Sequence, residues 1–362
     1  MKKIAFISEG CYVHIDFQLI PALSDSFVIG WFPFFNSATS DSTVADFTEQ
    51  SKNIPAAEFS HIRLSCRMRS LSTRKELQSL LRTVRNFAPD VVYINADGFP
   101  WLPLLARKLF LHIPVVAAIH DVAAHSRSSL ITRLYKPLLP HFYSHLNTYS
   151  DYCYRLLQAK NYRNKTISCC RHPLTDFGKL EEKKHDAFTA LFFGNLLAYK
   201  GLPLLLAAGE RAYEQNPHLR IKIVGRGADE QLLEPYKNHP AFTIINRRVE
   251  DSEIPAVFSD VDCLVLPYTD ATQSGPMMIA LNYAIPVLAT DIPAFAWYGE
   301  HFSEVHLLKN DVSVWADAFV KRAAEFPHSF PNSEKYRAET EAEKQRILAE
   351  WKTLFEWTGE KE

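Results

Sequence analysis

Residues 268–291 read YTDATQSGPMMIALNYAIPVLATD. An apolar run, CLVLPY, leads into them and reads as a buried strand. The chain then passes through hydroxyls, an amide and one glycine before turning almost wholly apolar. Ser274 and Gly275, with Pro276 behind them, mark a helix start, because proline suits a first helical turn. IPVLATD reads as the next strand. Strand, polar turn, helix and strand make the βαβ unit of a parallel sheet. The polar turn leaves the first backbone amides of the helix open, and those amides together with the helix dipole suit a phosphate.

Upstream of this stretch the same alternation runs back to Phe188. FTALFFGN, RIKIVG and AFTIIN read as strands, and LPLLLAAGERAYEQ, DEQLLEPYKN and SEIPAVFSD as helices. Before them RHPLTDFGKLEEKKHDA, from Arg171 to Ala187, carries Pro, Gly and a charge run and reads as a connection between domains. The first half alternates as well. KKIAFIS, SFVIGWF, APDVVYIN and IPVVAAIH are strand-like, and TRKELQSLLRTVRNF sets Leu77, Leu80, Leu81 and Val84 at helical spacing. LITRLYKPLLPHFYSHL reads as a helix with a Pro break, and Ser150 caps the helix SDYCYRLLQAKN. Two such blocks predict an α/β protein of two doubly wound, Rossmann-like domains, residues 1–172 and 187–332, facing a central cleft. Ligands belong at the C-terminal ends of such strands. Residues 333–362 hold one long helix with Ile347, Trp351, Leu354 and Phe355 on a stripe.

The composition is that of a soluble globular protein: 362 residues, 47% apolar, 22% charged and net charge −1. Nothing near Lys3 reads as a signal peptide, and the longest apolar segment is broken by Arg107, Lys108, His112 and two prolines. Cysteines fall at 11, 66, 153, 169, 170 and 263 without a C-x2-C pair for zinc. Cys66, Cys153 and Cys263 read as small buried fillers, the thiols as reduced, and the location as cytoplasmic. Charge is split: residues 1–175 carry 20 Lys and Arg against 12 Asp and Glu, and residues 176–362 carry 20 against 29. Much of the first half's excess comes from Arg63, Arg67, Arg69, Arg74, Lys75, Arg107, Lys108, Arg127, Arg133 and Lys136. Such a basic face suits the anionic inner face of a membrane, as a peripheral contact, or is simply solvated. No aromatic-basic motif accompanies it, so nucleic acid is not expected.

Glycine is scarce, 12 in all, and Gly194, Gly201, Gly225, Gly227 and Gly275 fall just past strand ends of the second half. Lys200, in AYKGLP, brings a full positive charge to the same phosphate, and Arg226 adds another. VGRGADE lacks the third glycine of a dinucleotide fingerprint. Asp260-Val-Asp262 imitates a metal-binding DxD but directly precedes an apolar parallel strand, so it reads as structural, and no metal is expected.

The order LFFGNLLAYKGLPLLL, IKIVGRGAD, VEDSEIPAVFSDVDCLVLPY and ATQSG…IPVLATD resembles the second domain of a GT-B-fold glycosyltransferase of the family 4 type, from Phe188 to about Asp291. Over the first half the resemblance is looser. It rests on the turn Ser8-Glu9-Gly10 and on VVAAIHDVAAHS, with its His-Asp after an apolar strand. The resemblance implies that the last helix returns to the first domain. It also implies hexosyl transfer from a nucleotide-diphosphate sugar to a glycan or lipid-linked acceptor, with retention, without metal or other cofactor, in cell-surface polysaccharide synthesis. The donor would lie on the second domain and the acceptor on the first.

His120, Lys200 and Asp270 are then the catalytic candidates. Gly10, Asn195, Gly225, Arg226, Thr272, Gln273, Ser274 and Gly275 would contact the donor, and His14, His125 and Arg127 the acceptor. Asn195 stands where the family usually has Arg, and Ala271 and Ile279 stand where many members carry paired glutamates; Asp270 is placed to stand in for the first. A nucleotide-sugar epimerase of the same architecture and a catalytically degenerate scaffold are the alternatives.

Overall fold

The computed structural model describes residues 1–68, 70–96, 100–122, 136–162, 164–181, 186–328, 330 and 333–358. The chain divides into two units, Met1–Pro173 together with the residues from Gln345 onward, and Leu174–Lys344.

The strands of the first unit are β1 (Lys3–Ser8), β2 (Val28–Trp31), β3 (Phe34–Phe35), β4 (Glu58–Phe59), β5 (Ile62–Arg63), β6 (Val91–Asn95), β7 (Val115–Ile119), β8 (His145–Thr148) and β9 (Thr166–Cys169). Its helices among the described residues are α1 (Val13–Leu23), α2 (Asp41–Ser51), α3 (Leu71–Asn86), α4 (Trp101–Leu109), α5 (Leu139–Phe142) and α6 (Asp151–Ala159). Seven parallel strands run in the order β4-β2-β1-β6-β7-β8-β9, and β3 pairs with β5. The order turns outward in both directions from β1 and β6, so the switch point lies where Ser8 and Asn95 stand paired.

Helix α3 forms where its 3.6-residue pattern predicts. Ser70 caps it by accepting from the Ser72 amide, and Leu77, Leu80, Leu81 and Val84 are buried against the sheet. Ser150 caps α6 through the Cys153 amide. The segment YSHL does not continue a helix. His145–Thr148 forms β8, because it pairs with β7 on one side and β9 on the other, and that double ladder overrides a local helical pattern. None of the six cysteines is in a disulfide; Cys153 and Cys263 are buried as expected, whereas Cys66 sits half-exposed in the loop ahead of α3.

The second unit contains β10 (Phe188–Phe193), β11 (Leu219–Gly225), β12 (Phe242–Asn246), β13 (Cys263–Leu266), β14 (Val287–Thr290) and β15 (Val305–Leu308). Its helices are α7 (Leu202–Gln215), α8 (Glu230–Leu233), α9 (Ile254–Phe258), α10 (Gly275–Asn282), α11 (Pro293–His301) and α12 (Val312–Glu325). All its strands are parallel in the order β12-β11-β10-β13-β14-β15. Counted from β10 this is 3-2-1-4-5-6, the Rossmann order, with its switch point between β10 and β13.

Helix α13 (Ser333–Trp357) ends within the first unit. Its predicted stripe, Ile347, Trp351, Leu354 and Phe355, is buried there. Trp351 Nε1 donates to the Arg171 carbonyl at 3.0 Å, Phe355 meets Phe6, and Glu350 pairs with Arg171.

Candidate active site

Beside the switch point of the second unit, β10 and β11 deliver Gly194 and Gly225 side by side. Gly225 has φ +152°, and a Cβ there would fall 1.8 Å from the Gly194 carbonyl oxygen, so only glycine allows the two strand ends to meet this closely. Gly194 has φ +114°, and a Cβ on it would stand 3.1 Å from Lys200 Nζ and 3.4 Å from Pro276 Cγ. One bare backbone position is therefore flanked by an ammonium and by the first turn of α10. The loop after β13 is tied to the Lys200 turn by the Thr269 amide, which donates to the Tyr199 carbonyl at 2.8 Å.

Lys200 is 8% exposed, and its Nζ lies 5.0 Å over the Tyr268 ring. No carboxylate pairs with it among the described residues, and burial draws its pKa below the usual lysine value. Ser274 caps α10 by accepting from the Met277 amide, and Gly275, next along, has open space where a side chain would stand. A buried cation beside the amides of a helix start is the arrangement that holds a phosphate.

The other residues expected at the donor are distributed around this point. Asn195 and Arg226 are exposed at the ends of β10 and β11, and Arg226 Nε donates to Asn195 Oδ1 at 3.4 Å. Thr272 and Gln273 are half-buried and Asp270 exposed on the loop from β13 to α10. Ala271 and Ile279, at the positions of the family's paired glutamates, are buried. Gly10 belongs to the first unit, where packing alone explains it: a Cβ would lie 2.3 Å from the Phe35 ring. Asp262 accepts from the Thr189 amide at 2.7 Å, and Asp260 pairs with Lys222 at 2.6 Å. Both carboxylates of the DxD sequence are thus spent on holding strands together. Among the described residues no group of three His, Cys, Asp or Glu side chains is placed to hold a metal ion.

In the first unit His120 stands just past β7, at the strand end the sequence predicts, but the structure buries it to 3% exposure. Tyr12 stacks on one face with centroids 3.6 Å apart, Tyr149 lies 4.7 Å away, and Asn95 Oδ1 is 2.7 Å from His120 Nε2. His14, half-buried on α1, packs against His172 at 5.6 Å. Burial draws His14 down to about 4 and His172 down to about 3, and His172 Nδ1 donates to the Pro173 carbonyl at 2.8 Å. His125 and Arg127 lie outside the described residues. Tyr12, Asp16, Asn95 and His172 were not expected here. Asn95, the polar residue closing the apolar run VVYI, and Asp16, a carboxylate inside an apolar helix, were visible as anomalies in the sequence. Tyr12 and His172 carry no such signal.

Comparisons with known proteins agree with this architecture. A family model described as Glycosyltransferase Family 4 matches residues 44–169, and one described as Glycosyl transferases group 1 matches residues 187–324. The chain is 32% identical over 103 residues to a GDP-mannose:glycolipid 4-beta-D-mannosyltransferase from Xanthomonas campestris pv. campestris. That match covers 27% of this chain and 29% of the relative's own length. A glycosyltransferase structure from Rickettsia africae ESF-5 superimposes with TM-score 0.75 at 11% identity, covering 100% of this chain and 99% of that one. Anabaena Alr3699/HepE, in complex with UDP and glucose, gives TM-score 0.69 at 14% identity, with 98% and 99% covered. With both halves matched by the family models, and with two Rossmann-like parallel sheets in the GT-B arrangement of strands, the chain belongs to the GT-B-fold glycosyltransferases of the family 4 type.

Proposed function

We propose that the protein transfers a sugar from a nucleotide-diphosphate sugar to a glycan or lipid-linked acceptor, with retention and without a metal, in the assembly of cell-surface polysaccharide. The observation that carries this reading is Lys200: a buried ammonium beside the bare Gly194 backbone and the first turn of α10. In the reaction the bond from the sugar's anomeric carbon to the diphosphate breaks and its electron pair goes to the phosphate oxygen. The acceptor oxygen bonds the anomeric carbon, and its proton is taken up by the departing diphosphate. Lys200 and the open amides of α10 are fixed donors aimed at the charge that develops. The related structure with UDP and glucose bound and the related GDP-mannose-dependent enzyme support a nucleotide sugar as donor and a glycolipid-like acceptor.

The acceptor side falls to the first unit, with His120 hydrogen-bonding the transferred sugar or the acceptor hydroxyl. That unit also exposes Leu71, Leu104, Leu111 and Leu138 among basic residues that include Arg74, Lys75, Arg107 and Lys108. Apolar side chains set among cations suit a peripheral contact with the anionic cytoplasmic leaflet. Among the described residues no helix is long and apolar enough to cross a membrane.

The test is a thermal-shift panel of nucleoside diphosphates and their sugars, followed by turnover of the stabilising donor with and without an acceptor extract. Diphosphate release that requires acceptor supports transfer. Turnover of donor alone points to an epimerase, and the absence of any nucleotide-induced shift contradicts the donor site.

A further inference from the structure

The switch point of the first sheet encloses a polar cluster apart from the phosphate chemistry. Ser8 and Asn95 are register partners at the ends of β1 and β6, and both are fully buried. Asp16, fully buried on α1, meets them, and its Oδ2 accepts from Trp31 Nε1 at 2.7 Å. Ser8 and Asn95 stand close enough to favour its ionised form. Asp16 Oδ1, Ser8 Oγ and Asn95 Nδ2 are buried here with no hydrogen-bond partner within reach among the described residues, so the three face one another as an unsatisfied polar cluster. The far end of the same amide, Asn95 Oδ1, lies 2.7 Å from His120 Nε2.

An amide has one accepting end and one donating end, whereas a carboxylate only accepts. Asp16 therefore draws Asn95 Nδ2 toward itself, which turns Oδ1 toward His120. A carbonyl oxygen cannot donate, so His120 Nε2 must carry the hydrogen and Nδ1 becomes the accepting nitrogen. We propose that Asn95 and Asp16 are positioning residues of the transfer reaction: Asp16 sets which way the Asn95 amide points, and Asn95 holds His120 as its Nε2–H tautomer. The proposal rests on the reading above that His120 serves the sugar or the acceptor. Tyr12 and Tyr149, packed about the imidazole, oppose the ring flip that would exchange its two nitrogens.

The test is nitrogen NMR of histidine-labelled protein, with the His120 signals assigned by their loss in His120→Gln. It is run at about pH 8.5, so that Asp16, which burial raises to about 7, is ionised. The wild type is expected to show Nε2–H. Asp16→Asn keeps an acceptor for Trp31 but presents an NH2 group to Asn95, which turns the amide over and moves His120 to Nδ1–H. Transfer kcat should then fall at least about tenfold, as in other wrong-tautomer variants, with donor KM unchanged. The double variant Asp16→Asn/Asn95→Asp places a carboxylate where it accepts from both neighbours, and it should restore the tautomer and most of kcat. Nδ1–H in the wild type, or an unaltered tautomer in Asp16→Asn, overturns the proposal. A changed tautomer with kcat unaltered refutes instead the part given to His120 in transfer.

Discussion

Replacing Lys200 with methionine keeps the length of the side chain and deletes its charge, and the structure predicts opposite consequences for rate and stability. The ammonium is buried, without a carboxylate partner among the described residues, and its pKa is depressed by that burial. Removing it from the ligand-free protein relieves a desolvation cost, which we put at about 1 kcal/mol or more by analogy with buried charges exchanged for apolar groups. The lost cation–π contact with Tyr268, about 0.5–2 kcal/mol, offsets part of that gain. The net expectation is a melting temperature that is unchanged or raised by about 2–4 °C. Catalysis should respond the other way. Loss of one preorganised donor to a developing anion costs about 100- to 1000-fold in kcat, about 2.7–4 kcal/mol. Diphosphate release gives the rate, and melting with and without nucleotide gives stability and binding. A Lys200→Met enzyme that retains kcat within about threefold of wild type contradicts this role for the ammonium. A variant that melts well below wild type contradicts it equally, because the ammonium would then be holding the fold rather than awaiting an anion.

Gly225→Ala forces a Cβ to within 1.8 Å of the Gly194 oxygen at φ +152°; it should cost about 3 kcal/mol or more and abolish the nucleotide-induced shift, read by melting. Leu81→Ala removes a fully buried side chain of α3 and should destabilise by about 2–5 kcal/mol in urea unfolding. Acid stability is set largely by groups that burial shifts, His14, His172 and Asp16 foremost. His14 and His172 are lowered to about 4 and about 3, so their stabilisation is complete above pH 6.5 and is lost as pH falls through those values. Asp16 is raised to about 7, so its contribution is greatest below pH 3.8 and is lost as pH rises toward 7. Between about pH 4 and 6.5 the imidazoles lowered by burial, His61 and His145 among them, outweigh Asp16, so stability should fall on acidification and fall more steeply in Asp16→Asn; an unaltered slope in that variant contradicts the assignment. Leu104→Ser with Leu111→Ser should weaken co-sedimentation with anionic vesicles, and equal recovery on neutral and anionic vesicles would remove the membrane contact.

The second unit was the more legible of the two because its glycines are few and placed by need. Gly194 and Gly225 are where backbones crowd, and that crowding is written into the sequence as the absence of a side chain. Lys200 and Ser274 followed from their spacing against those glycines. In the first unit the functional geometry depends on residues brought together across strands, such as Asn95 with His120 or Tyr12 with His120, and no local spacing encodes such pairs. His120 was identified from its strand end, but its burial beneath Tyr12 is a property of tertiary packing. The helix expected to run to Leu146 stops short for the same reason: two neighbouring strands, not its own pattern, take His145–Thr148 into β8. Gly10 shows the converse, a turn glycine whose need comes from the Phe35 ring.

The most direct test of the donor site is a crystal structure of the protein with a nucleoside diphosphate bound. The terminal phosphate should lie within hydrogen-bond reach, about 3 Å, of Lys200 Nζ and of the amides at the start of α10. A diphosphate bound elsewhere, with Lys200 left facing Tyr268 and the Gly275 amide unengaged, would contradict it.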